Sequence, residues 1–114
     1  MLTMDDLREW GADVEEGLRR CFDREDFYLR LVGLQLEDPN FERLEEAILA
    51  GNARAAFEAA HAIKGATGNL ALTPIYAPVV AIAEKLRGQS AMQEVSAEYA
   101  EMNAALARLR RLAE

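Results

Sequence analysis

The stretch SAMQEVSAEYAEMNAALARL, residues 90–109, decides the fold. Met92, Val95, Tyr99, Met102, Leu106 and Leu109 recur at alternating intervals of three and four, which puts them on one face of an α-helix. Ser90-x-x-Gln93 has the form of a capping box, so the spacing predicts a helix over 90–112. A stripe of this kind needs partner helices to cover it.

Working back along the chain, such partners are present. Ile75, Val79, Ile82 and Leu86 mark a helix over 74–87. Its start is ambiguous: Thr73-Pro74 is a good beginning, yet Pro78 one turn later lacks the N–H that continuation uses. Either the helix begins near Pro78 or its first turn is distorted. Asn52 can cap a helix over 53–71. Phe41, Leu44 and Ile48 repeat at helical spacing up to Gly51, a fitting residue just past a helix end. Upstream, Phe27, Leu31 and Leu34 share a face, with Tyr28 and Val32 beside it. Pro39 suits a first helical position after Asp38. The segment 24–50 is therefore one bundle arm or two helices joined at Pro39, and in the second case the N-terminal helices cap one end. Thr3 with Asp6 predicts a short first helix ending near Gly11, and Asp13 a second over 14–21. Short connections between amphipathic helices make an all-α protein: an antiparallel four-helix bundle with additional short N-terminal helices.

Composition narrows the function. The net charge of −7 argues against nucleic acid, whose phosphates need a basic surface. The acidic start lacks the basic segment of a signal peptide, and no apolar run is long enough to span a bilayer. One cysteine, Cys21, excludes an internal disulfide and a multi-thiolate metal site, and its place beside Val14 and Leu18 reads as a buried structural thiol. With one histidine, haem or di-iron chemistry has no ligand set. The chain reads as one domain over 1–114, a cytoplasmic monomer with no membrane partner.

That single histidine, His61, stands in HAIKGATGNL (61–70). On a helix His61, Lys64, Gly65 and Gly68 share one face. Ala56, Ala60, Ile63, Thr67 and Leu70 make an apolar stripe opposite. Two helix-interior glycines each cost about 1 kcal/mol relative to alanine, and space for another molecule beside His61 is a use that explains them. Eleven of the thirteen basic residues are arginine, so a lysine one turn from the histidine stands out. A lone surface histidine ordinarily does no chemistry; its coincidence with Lys64, Gly65 and Gly68 describes a site for passing a phosphoryl group. An exposed imidazole is mostly neutral and nucleophilic near neutral pH, since histidine ordinarily titrates at about 6.5.

At these residues the chain resembles the histidine-containing phosphotransfer (HPt) family of two-component phosphorelays, whose pattern His-x-x-Lys-Gly is matched by His61, Lys64 and Gly65, with Gly68 following. The likeness takes in Gly17-Leu18, Tyr28, Leu44-Glu45-Glu46-Ala47 and Gly51-Asn52, from about Asp13 to Arg87. Two departures are Ala71, where members often have a further glycine, and Pro78. The resemblance implies His61 as phospho-acceptor and response-regulator receiver domains, or a hybrid histidine kinase, as partners. In some members a Gln or Glu on the next helix steadies the imidazole and an Arg follows the histidine by 26 residues. The interval lands on Arg87, and the nearest acidic residue is Glu84.

Phosphoryl transfer rests on alignment and on stabilising charge spread over the equatorial oxygens. Lys64 is placed to pair with them. No phosphate-binding glycine loop and no acidic triad of metal-ligand spacing is present. The chain is thus expected to be a carrier and not an enzyme, with no cofactor of its own and Mg²⁺ on the partner receiver. The alternative is a non-phosphorylated helical adaptor that binds receivers or other partners, and a metal- or haem-binding bundle stands third.

Overall fold

Turn chemistry places the helix boundaries. In the computed structural model, which describes residues 1–114, Thr3 and Asp6 close a capping box at the start of α1 (Met4–Trp10), and Asp13 accepts from the Glu16 amide to begin α2 (Val14–Arg20). α3 (Glu25–Gln35) and α4 (Asn40–Leu49) follow. Gly51, at φ +68°, turns the chain, and the Asn52 side chain accepts from Ala55 N at 3.0 Å to start α5 (Ala53–Asn69). α6 (Thr73–Leu86) and α7 (Ser96–Leu112) complete an all-α chain of seven helices.

α4 packs on α5, α5 on α6 and α6 on α7, giving the antiparallel four-helix bundle. A continuous apolar cluster runs through it from Met4 to Leu109. The N-terminal helices join the same core. Trp10 Nε1 donates to Ala105 O on α7 at 2.9 Å. Tyr28, fully buried on α3, donates its hydroxyl to Leu70 O at 2.8 Å. Burial pushes that hydroxyl's pKa up to about 12. Gly17 makes room for the ring: a Cβ there would lie 2.5 Å from Tyr28 Cε1. No helix is long and apolar enough to cross a membrane.

Four boundaries or faces differ from, or decide between, the readings of the sequence. Residues 24–50 form two helices, and α4 alone is the bundle arm. Asp38 interrupts the run by accepting from both Gln35 Nε2 and Asn40 N at 2.9 Å, beside the N–H that Pro39 lacks. On α3 the core face is Tyr28 and Val32, with Leu34 left 56% exposed. α6 begins at Thr73 and runs through Pro78, whose ring is buried.

The last helix starts at Ser96, not Ser90. Its first amide is met from outside by the carboxylate of Glu94, which accepts from Ser96 N at 2.9 Å and from the Ser96 hydroxyl. Lys85 holds the crossing from α6 by donating to Glu94 O at 3.2 Å and pairing with Glu98. The Gln93 side chain donates to Ala91 O instead of serving a capping box. Val95 is buried and Met92 packs against the core, so the apolar spacing continues although the helix does not.

Candidate functional site

α5 is built on small residues. Ala53, Ala56, Ala59, Ala60, Ile63 and Thr67 are buried, and the alanines let neighbouring helices come close. Thr67 belongs to this face because its hydroxyl donates to Ile63 O at 2.7 Å, leaving no unmet polar group in the core. Both ends of the helix are tied down. Asn52 caps the start. At the other end Ala71 N bonds Gly68 O and Leu72 N bonds Thr67 O, a Schellman closure with Ala71 at φ +54°. Arg20 Nη1 also donates to Gly68 O at 3.0 Å and is braced by Glu16. A cation at a helix C-terminus complements the dipole.

The opposite face is bare in the middle. His61 is exposed, Lys64 half-buried and Gly65 exposed. Neither ring nitrogen of His61 has a hydrogen-bond or ion-pair partner, and the Lys64 ammonium has no carboxylate within ion-pair distance. A Cβ built on Gly65 would meet nothing within 4 Å. Gly68 differs: its Cβ would lie 2.9 Å from Tyr76 Cε1, so the space is filled by this chain's own ring. The smallness of Gly68 serves the packing of α6 on α5.

Arg87 and Glu84 reach the site indirectly. Arg87 Nη2 pairs with Glu84 Oε1 at 3.3 Å, and Glu84 makes no bond to the imidazole. The Arg87 guanidinium carbon lies 5.5 Å from the centre of the Phe57 ring. Phe57 in turn stacks on His61, with ring centres 5.7 Å apart and planes inclined by 22°. Phe57 is the contact the sequence reading missed; its place one turn before His61 (i, i+4) is the signal that could have found it. Tyr76 had no such signal, since its contact with Gly68 depends on how α6 folds back. No group of three or more His, Cys, Asp or Glu side chains is placed to hold a metal ion. Cys21 is buried, and desolvation raises its thiol pKa.

Comparison with known proteins adds one finding. A family model described as Hpt domain matches residues 34–112, from the last turn of α3 through α7 and including His61. The segment holding Gly17 and Tyr28 lies outside that match, which extends past Arg87 to the end of the bundle. Curated proteins and solved structures give no match. With all four bundle helices inside the matched region, the chain belongs to the Hpt domain family, whose members are phosphoryl carriers, not catalytic enzymes, in histidine phosphotransfer between receiver domains and histidine kinases.

Proposed function

We propose that His61 is the residue that carries the phosphoryl group, exchanging it with the aspartate of a receiver domain. The observation that carries this reading is the pairing of an exposed, unbonded imidazole with the empty Cβ position of Gly65 one turn along the same face. A neutral ring nitrogen attacks phosphorus in line. The N–P bond forms as the P–O bond to the aspartyl carboxylate breaks, and the electron pair leaves with the carboxylate. The ring's other nitrogen keeps its proton and passes it to solvent when the cation neutralises. The reverse step runs through the same arrangement.

Lys64, with no carboxylate partner, is available to the equatorial oxygens of the transferring group, where charge spreads in the transition state. Arg87, held by Glu84, lies against the Phe57 ring that stacks on the imidazole. Gly65 admits the partner. The Mg²⁺ that the reaction uses is assigned to the receiver, and the unit acts as a monomer.

The test is phosphate uptake from a receiver domain charged with acetyl phosphate. The parent should gain one phosphate that is acid-labile and base-stable, and His61→Gln should gain none while keeping its helical content. Phosphate on the His61→Gln variant would place the carrier elsewhere; binding without uptake by the parent would make the chain an adaptor.

A further inference from the structure

An exposed imidazole with neither nitrogen hydrogen-bonded needs some other restraint if its attacking lone pair is to meet phosphorus in line. On α5 only one side chain is seen to supply it. Phe57 is the sole aromatic ring of that helix besides His61 itself, standing among alanines and the Arg54–Glu58 ion pair. It is half-buried, packed against the core along one part, and its ring lies nearly parallel to the imidazole. A stack covers a face of the imidazole and leaves its edge free. Both nitrogens, and the lone pair that attacks, lie in the ring plane at that edge.

The same phenyl ring carries Arg87. A guanidinium within about 6 Å of an aromatic centre is held by the ring's quadrupole, and the 5.5 Å separation meets that condition. The Glu84 carboxylate holds the guanidinium from its other side. Glu84, Arg87, Phe57 and His61 thus form a connected series from the end of α6 to the middle of α5.

Resting on the reading of His61 as phospho-acceptor, we propose that Phe57 is a positioning residue for the transfer: the ring that carries the Arg87 guanidinium on one contact sets the plane of the imidazole on the other. The loss of one aromatic stack corresponds to about two- to tenfold in rate.

The experiment compares the parent with Phe57→Leu, which keeps an apolar side chain, and Phe57→Tyr, which keeps the ring. Because the chain has one histidine, its imidazole proton resonances are unambiguous. In the parent they should lie upfield of free histidine through the phenyl ring current. They should return toward the free position in Phe57→Leu and stay upfield in Phe57→Tyr. Phosphate uptake is read with two donors, phosphoramidate and an acetyl-phosphate-charged receiver domain. Phe57→Leu should slow both about two- to tenfold, and Phe57→Tyr should restore both. Parent resonances at the free-histidine position would overturn the stack, without reference to any variant's folding. Uptake by Phe57→Leu at the parent's rate would overturn the positioning role while leaving His61 as the carrier. A parent that takes phosphate from neither donor, yet shows the upfield resonances, would overturn the phospho-acceptor reading and the positioning role with it, the stack itself standing.

Discussion

Placing a side chain at Gly65 should make the protein more stable and a poorer carrier at once. The Cβ position faces open space with nothing within 4 Å, in the interior of a 17-residue helix. Gly65→Ala then gains the helix-propensity difference of about 0.8–1.0 kcal/mol with no packing cost. In a domain of this size that raises the melting temperature by about 4 °C. Gly65→Gln should gain somewhat less, about 0.5–0.8 kcal/mol, since glutamine ranks just below alanine. The glutamine side chain would stand one turn from His61 on the face that a receiver must approach. A misplacement of about 1 Å can cost 10²-fold in a reaction that depends on alignment, so transfer should fall by at least about tenfold. Thermal melts and single-turnover transfer from a charged receiver domain read the two effects separately. Gly65→Gln transferring at the parent's rate would refute the idea that this glycine admits the partner. A Gly65→Ala variant less stable than the parent would refute the open-space argument itself.

Gly17→Ala should destabilise despite its better helix propensity, because the added Cβ would sit 2.5–2.7 Å from Tyr28 ring and hydroxyl atoms; overpacking of this kind costs about 1–3 kcal/mol, measurable by urea unfolding. Ala71→Gly should do the reverse, since Ala71 holds φ +54°. The left-handed conformation costs a non-glycine residue about 1–2 kcal/mol, and after glycine's unfolded-state entropy of about 0.4–1 kcal/mol a gain of up to about 1.6 kcal/mol remains. Acid should loosen the α6–α7 crossing. The Glu98 carboxyl is held below the ordinary carboxylate range by the bond from Lys85, and that of Glu94 by the Ser96 hydroxyl and amide. With folded values depressed, their stabilisation is present above the ordinary range and lost as pH falls through the lowered one. Glu98→Gln should therefore flatten the acid limb of stability against pH.

Where a structural feature is encoded by neighbours in sequence, it was legible. The Thr3, Asp13 and Asn52 caps, the turn at Gly51 and the buried stripe Ala56, Ala60, Ile63 and Thr67 all follow from spacing within one helix. The last helix shows the limit. Met92 and Val95 keep the apolar rhythm of α7 from a loop, because burial sets that rhythm and helicity is only one way to satisfy it. The capping pattern at Ser90 lost to longer-range contacts, Lys85 with Glu94 and Glu98. At the site the same division holds. His61, Lys64 and Gly65 share a face by helix geometry alone, whereas Gly68 turned out to be matched to Tyr76, and Arg87 to Phe57, by the way α6 returns along α5.

The fixed and the bare parts of α5 have a common logic. A carrier that exchanges with more than one partner cannot enclose its reacting group, for a pocket fitted to a donor would exclude the acceptor. Precision must come from the helix beneath the group and from the one ring stacked beside it. Here the helix bearing His61 is held at one end by the Asn52 cap and at the other by the Schellman closure, the Arg20 bond to Gly68 O and the Tyr28 bond to Leu70 O. Two of those anchors come from the N-terminal helices, outside the segment matched to the family. Their loss would free the end of α5 two turns from His61. Gly17→Ala, which acts through Tyr28, should on this argument slow transfer as well as lower stability, although no atom of Gly17 or Tyr28 belongs to the exposed face. Transfer at the parent's rate, measured under conditions where the variant is fully folded, would show that α5 needs no anchor at that end.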